Sequence, residues 1–282
     1  MNRRLALRGL LLVAGLLFFL AAGVLLSILL LPVPQVAVVR VEGDIWGPYA
    51  TLVRDALEGA GQARAVRAVV LDISSPGGEV TASEDLYYQV LKLRETKPVV
   101  ASIGELAASG AYYLAAGADT IYAKSGSTVG NIGVISILPD PDVVDEKLVT
   151  SGPFKLSGGS QVAAIRQIEM LKQTFLAAVL AQRGDLLQVT PEALSEGNVY
   201  LGLRAQQMGL VDEVGSRSDA VQAAARLAGL RRYQVVDLTP ELSEDLGLFG
   251  LRLAGVKTAA ALAAPPDNLL PGFYYRYVDP LP

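Results

Sequence analysis

Ser109 stands in the run Leu106-Ala107-Ala108-Ser109-Gly110-Ala111-Tyr112-Tyr113, where small neighbours leave its hydroxyl accessible. A serine so placed could open an acyl-transfer reaction, provided that a base removes its proton. The chain has no histidine and no cysteine. A Ser-His-Asp triad, a Cys-His pair, disulfides and thiolate or imidazole metal sites are therefore excluded, and the base must be a lysine, a carboxylate or an α-amine. The lysines are Lys92, Lys97, Lys124, Lys147, Lys155, Lys172 and Lys257. Lys92 and Lys97 belong to a solvated helix and its exit, beside Arg94 and Glu95. Lys147 follows Asp145-Glu146 as a surface ion pair would, and Lys172 falls on an amphipathic helix. Lys155 is a solitary cation between Phe154 and Leu156, in a segment bounded by Gly152 and Gly158. Loss of water there would favour the neutral amine, the form a general base needs. A surface lysine on a loop is the competing reading.

A third element of chemistry is Ser74-Ser75-Pro76-Gly77-Gly78, which follows the apolar run Val66–Ile73. Two successive glycines let backbone N–H groups approach a cleft without side chains in the way, so the turn could bind a developing oxyanion. An ordinary Pro-Gly turn has the same composition. No Gly-Lys-Ser/Thr follows the glycines, so the turn is not a phosphate loop. The run around Ser109 likewise suits the tight packing of a small-residue helix.

The elements that must position these groups alternate strand with helix. Val36–Val41 and Val66–Ile73 read as strands, the second nearly continuous in apolar residues as a buried parallel strand requires. Leu52–Ala60 and Ser83–Glu95 have helical patterning, Pro98–Ser102 and Thr120–Ala123 read as short strands, and Ala107–Ala116 reads as a small-residue helix with Ser109 near its start. Gly126–Gly133 reads as a loop. A long amphipathic helix is expected over 161–183, further helices from Pro191 and over Ser218–Leu227, and a last strand over Tyr233–Asp237. This alternation predicts an α/β domain with a mostly parallel sheet.

The first residues carry Arg3, Arg4 and Arg8, then an uncharged apolar stretch over 9–31. That stretch matches the roughly 30 Å hydrocarbon core of a bilayer and exceeds the h-region of a cleaved export signal. The arginines should stay in the cytoplasm, which puts the rest of the chain outside it. The expected layout is a cytoplasmic tail at 1–8, a transmembrane helix at 9–31, an extracytoplasmic domain at 32–238 and a C-terminal tail at 239–282. With 282 residues and a net charge of −4, nothing in the composition favours nucleic acid as a partner.

Taken in order, Ser-Pro-Gly-Gly at 75–78, Ala-Ala-Ser-Gly-Ala-Tyr-Tyr at 107–113, Gly-Asn-Ile-Gly-Val at 130–134, Ser-Gly-Pro-Phe-Lys at 151–155 and the stretch 197–215 resemble the signal peptide peptidase A (SppA, protease IV) family. The resemblance runs from about residue 36 to 215. It implies the ClpP/crotonase-like fold, a serine endopeptidase with Ser109 as nucleophile and Lys155 as base, and an oxyanion hole from the Gly78 and Gly110 amides. It implies no cofactor and no metal. Its expected substrates are signal peptide remnants and other apolar peptides near the membrane. Relatives assemble into rings or domes in which serine and lysine of one site can come from different subunits, so a homo-oligomer with shared sites is expected. Two positions depart from the family pattern. Ala111 replaces a glycine, and Asn131 replaces the serine that orients the lysine, a role in which its side-chain oxygen could serve. The rivals are an NfeD-type membrane-associated protease of the ClpP class, a scaffold of the same fold without turnover, and a crotonase-like acyl-CoA enzyme, which the membrane span disfavours.

Overall fold

A computed structural model describes residues 3–30, 33–137, 151, 154–155, 158–239 and 272–276. The helices are α1 (Arg3–Leu30), α2 (Gly47–Gln62), α3 (Val80–Arg94), α4 (Gly110–Ala116), α5 (Gln161–Arg183), α6 (Pro191–Leu194), α7 (Gly202–Gln207) and α8 (Arg217–Leu227). The strands are β1 (Gln35–Glu42), β2 (Val66–Ser75), β3 (Gly77–Glu79), β4 (Val99–Ala108), β5 (Thr120–Ala123), β6 (Thr128–Gly130), β7 (Ile135–Ile137), β8 (Val199–Leu201), β9 (Glu213–Val214), β10 (Gln234–Asp237) and β11 (Gly272–Arg276).

The main sheet runs in the order β10-β1-β2-β4-β5-β9, and every neighbouring pair on that path is parallel. β6 joins β4 in parallel, and β8 closes antiparallel on β6. The expectation of a mostly parallel α/β domain therefore holds. Side chains of a strand alternate between faces, and both faces here are apolar. Ala37, Val39 and Val41 of β1 join Val69, Leu71 and Ile73 of β2 in a core under α2, α3, α4 and α5. Val36, Val38, Ala68 and Val70 point the other way, onto Ala220 and Ala224 of α8. Helices on both faces remove the central strands from water.

Three boundaries differ from the sequence reading. β4 continues through Ala107 and Ala108, so the helix starts only at Gly110 and Ser109 forms the corner between them. The loop expected over 126–133 contains β6, which edge pairing to β4 and β8 holds extended. β11 lies in the C-terminal tail, where no strand is expected. It pairs antiparallel with β3 and β7 in a second, three-stranded sheet.

In α1 the side chains from Leu11 to Leu26 are exposed almost throughout. Among the described residues no helix is long and apolar enough to cross a membrane, the described side chains of α1 covering only this central part of the stretch expected to span.

Candidate active site

Ser109 is the residue at which β4 turns into α4. Its backbone sits at φ 54°, ψ −124°, a conformation that L-residues other than glycine seldom adopt. Such strain is retained where surrounding structure over-determines it. Here the Ser109 amide donates to the Gly130 carbonyl at 2.8 Å and its carbonyl accepts from the Tyr113 amide at 2.9 Å. A serine at a helix N-cap usually spends its oxygen on the helix's free amides. Ser109 makes no such bond, so its hydroxyl is not consumed by capping. The residue is buried in this chain, at 1% exposure.

The glycine turn lies against this corner. Ser75, fully buried, accepts from the Gly77 amide at 3.1 Å and tightens the turn. The Gly77 carbonyl accepts from the Ile45 amide at 2.8 Å, and the Glu79 amide donates to the Ile45 carbonyl at 2.7 Å. Alternate residues of a strand present their N–H and C=O to opposite edges. Gly77 and Glu79 face Ile45, so the N–H and C=O of Gly78 face the other edge, where β11 lies. No other residue fits this turn. Gly77 has φ +93°, and an ideal Cβ on it would stand 2.6 Å from the Gly110 nitrogen and overlap the Tyr275 carbonyl oxygen. A Cβ on Gly78 would overlap the Ile45 carbonyl. Gly110 opens α4, and the first amides of a helix have no intrahelical acceptor. The Gly78 and Gly110 amides are thus two donors beside one strained serine, the arrangement that stabilises an oxyanion in acyl transfer.

Beside the corner is an aromatic cluster. Tyr87 stacks on Tyr113 with centroids 4.6 Å apart, and Phe175 of α5 lies 4.8 Å from Tyr113. Tyr275 of β11 completes it, 5.5 Å from Tyr113 and 4.9 Å from Phe175. Burial first, and the Glu84 carboxylate second, hold the hydroxyls of Tyr113 and Tyr275 well above the ordinary tyrosine range, so both stay protonated. Burial, and then neighbouring Asp85, push the Glu84 carboxyl up in turn.

The remaining sequence candidates are less closely held. Asn131 follows Gly130 at φ 56°, a left-handed position asparagine tolerates. Its amide nitrogen donates to the Gly197 carbonyl at 2.7 Å, which leaves the side-chain oxygen as the atom that could serve an amine. Lys155 lies in a turn with Phe154, and both are exposed, Phe154 at 53%. Lys155 is thus exposed in the single chain, and among the described residues no hydrogen bond joins it to Ser109. One chain brings together Gly78, Ser109, Gly110 and Asn131.

Arg183 and Asp212 brace the site from behind, and the sequence reading does not single them out. Arg183, 2% exposed, donates to both Asp212 oxygens at 2.8 and 2.9 Å and to the Gly209 carbonyl. Asp212 also accepts from the Ile121 amide, and the Tyr112 hydroxyl donates to the Leu210 carbonyl at 2.9 Å. These bonds tie 209–212 to β5 and α4. An arginine at the end of a long amphipathic helix reads as a surface charge. Only Met-Gly-Leu-Val-Asp at 208–212 hints at a buried partner.

Residues 92–231, which include Ser109, Asn131 and Lys155, match the model of peptidase family S49. The chain belongs to that family, the signal peptide peptidase A family. Among its relatives, a protein of Methanocaldococcus jannaschii with a provisional protease name is 35% identical over 66% of this chain and 63% of its own. Protease 4 of Haemophilus influenzae is 32% identical over 80% of this chain and 40% of its own. The chloroplastic serine protease SPPA of Arabidopsis thaliana is 28% identical over 72% and 33%. The chain thus spans less than two thirds of the length of each of these relatives.

Proposed function

We propose that this S49-family chain is a membrane-anchored serine endopeptidase working through Ser109 and Lys155, with the lysine supplied by a neighbouring copy. One observation carries the reading. Ser109 is strained, free of capping duty and set beside two glycine amides that face an extended peptide strand. The exposure of Lys155 in a single chain supports a base donated across a subunit boundary, where the partner would exclude water.

In this mechanism the neutral Lys155 amine takes the proton of Ser109 Oγ as the oxygen attacks a peptide carbonyl carbon. The carbonyl π electrons move onto oxygen, which the Gly78 and Gly110 amides stabilise. Collapse of the intermediate breaks the C–N bond, and Lys155 passes its proton to the leaving amine. Water, deprotonated by the same amine, then hydrolyses the acyl-serine and restores both groups. Asn131 offers its oxygen to hold the lysine. No step calls for a metal or cofactor.

The anchor would be α1, whose 28 residues reach roughly 40 Å at about 1.5 Å per residue, with the domain outside the cytoplasm in the cell membrane. Substrates of this reading are apolar peptides near the membrane, signal peptide remnants among them. The test is fluorophosphonate labelling and peptide hydrolysis by the full chain in detergent, with sizing of the particle. Ser109→Ala should abolish labelling. Ser109→Ala and Lys155→Ala should each lower hydrolysis on the order of a thousandfold or more. Full activity in Lys155→Ala would overturn the dyad.

A further inference from the structure

We propose that Ser83 of α3 is a positioning residue that fixes the spacing of the two oxyanion donors, Gly78 and Gly110. The inference rests on the peptidase reading and deepens it by naming what holds the oxyanion hole in register. Ser83 is fully buried, and its hydroxyl donates to the Glu79 carbonyl at 2.8 Å. Glu79 directly follows Gly78 and is held twice more. Its amide donates to the Ile45 carbonyl at 2.7 Å, and its carboxylate accepts from the Gly47 amide at 3.0 Å. The Ser83 hydroxyl therefore hangs from the fixed residue beside the first donor.

The same oxygen meets the second donor. A Cβ built on Gly110 would overlap the Ser83 hydroxyl oxygen and stand 3.0 Å from the Ser83 Cβ. That oxygen thus fills the space against the Gly110 Cα that a side chain would need. The Gly110 nitrogen is approached by a different group, since a Cβ on Gly77 would come within 2.6 Å of it. One hydroxyl and one bare glycine fix the opening of α4 between them. Ser109, the residue before, keeps its strained backbone only while these neighbours stay in place.

The helix itself gains little from a serine here. Alanine has the higher helix propensity, and a serine that bonds back to the carbonyl four residues earlier tends to bend a helix and weaken it slightly. The bond to Glu79 mainly offsets the cost of burying the hydroxyl. What alanine would not supply is the contact with Gly110. Removing that oxygen would open a gap beside the Gly110 Cα, into which the start of α4 could settle with its amide turned from the developing charge. A displacement of about 1 Å can cost on the order of a hundredfold in rate.

The test is peptide hydrolysis by the full chain in detergent, with kcat counted per serine titrated to completion by fluorophosphonate and unfolding followed in denaturant. Ser83→Ala should lower kcat about tenfold, leave KM within about twofold and barely shift the denaturant midpoint, as a contact that matters only in the transition state requires. A purely structural role would move the midpoint and the number of titrated serines, with kcat per serine unchanged. That result would overturn the proposal. A second pair of variants reads the contact itself. Gly110→Ala should lower kcat about a hundredfold or more through overlap with the Ser83 hydroxyl, and adding Ser83→Gly should recover about tenfold of that loss. Losses that simply add in the double variant would also overturn it. Full activity in Lys155→Ala, with the Ser83→Ala loss intact, would sink the dyad and leave this role standing. An unaltered chain that neither labels nor hydrolyses peptide would overturn both.

Discussion

The Ser109 corner and the Lys155 turn are the two halves of one proposed reaction, and they are built in opposite ways. The serine half is buried, fixed by backbone bonds to Gly130 and Tyr113, flanked by glycines that no other residue could replace, and braced by the Arg183–Asp212 pair. The lysine half is an exposed turn. An oxyanion hole must be preorganised before charge develops, and donors already fixed within one chain need no reorganisation at the moment of reaction. A lysine must be desolvated to act as base, and a surface that another copy covers provides desolvation only on assembly. Such a division would keep the isolated chain inactive.

The sharpest way to break this comparison is to separate the halves. Ser109→Ala and Lys155→Ala chains, each inactive alone, should recover about a quarter of wild-type hydrolysis when mixed before assembly, as random assortment in a closed ring requires. No recovery would assign both residues to the same chain. Next in size is Gly78→Ala, whose methyl meets the Ile45 carbonyl and displaces an oxyanion donor. It should cost about 2.7–4 kcal/mol of transition-state stabilisation, read as a drop in kcat of about a hundredfold to a thousandfold. Arg183→Met tests the bracing. It leaves Asp212 without its buried partner and should destabilise folding by about 3–5 kcal/mol in a denaturant titration.

The smallest effect lies away from both halves. Hydrogen bonds from the Ser216 side chain and then its backbone hold the Asp219 carboxyl below the ordinary aspartate range, completing the capping box of α8. A depressed carboxyl stabilises the fold above the ordinary aspartate value, and that contribution disappears as pH falls through the lowered one. Asp219→Asn should therefore lower the melting temperature slightly at neutral pH, with the difference closing in strong acid, and leave labelling of Ser109 unchanged.

The central sheet is legible because β-branched runs such as Val66–Ile73 need no distant information to be read as buried strands. Ser109 is legible as a residue but not as a corner, since the small side chains of Ala107 and Ala108 suit a helix as well as the strand that pairing with β2 and β6 imposes. Asn131 is found by motif, whereas its bond to Gly197 depends on a segment 66 residues away. β11 is invisible for the same reason. Five residues form a strand only because β3 and β7 wait on either side, and Tyr275 looks like one more tail aromatic until Tyr113 and Phe175 enclose it.

β1 begins at Gln35, just after the connector from α1, and runs parallel to β2 as far as Glu42, which pairs with Ser74 at the edge that carries the glycine turn. Eight residues of strand measure about 25 Å. If α1 is the tether and β1 rises from the lipid, the cutting edge would stand off by up to that height, and a peptide still sunk in the bilayer would have to be drawn out to reach it. Extraction, not sequence, would then decide which remnants are destroyed first.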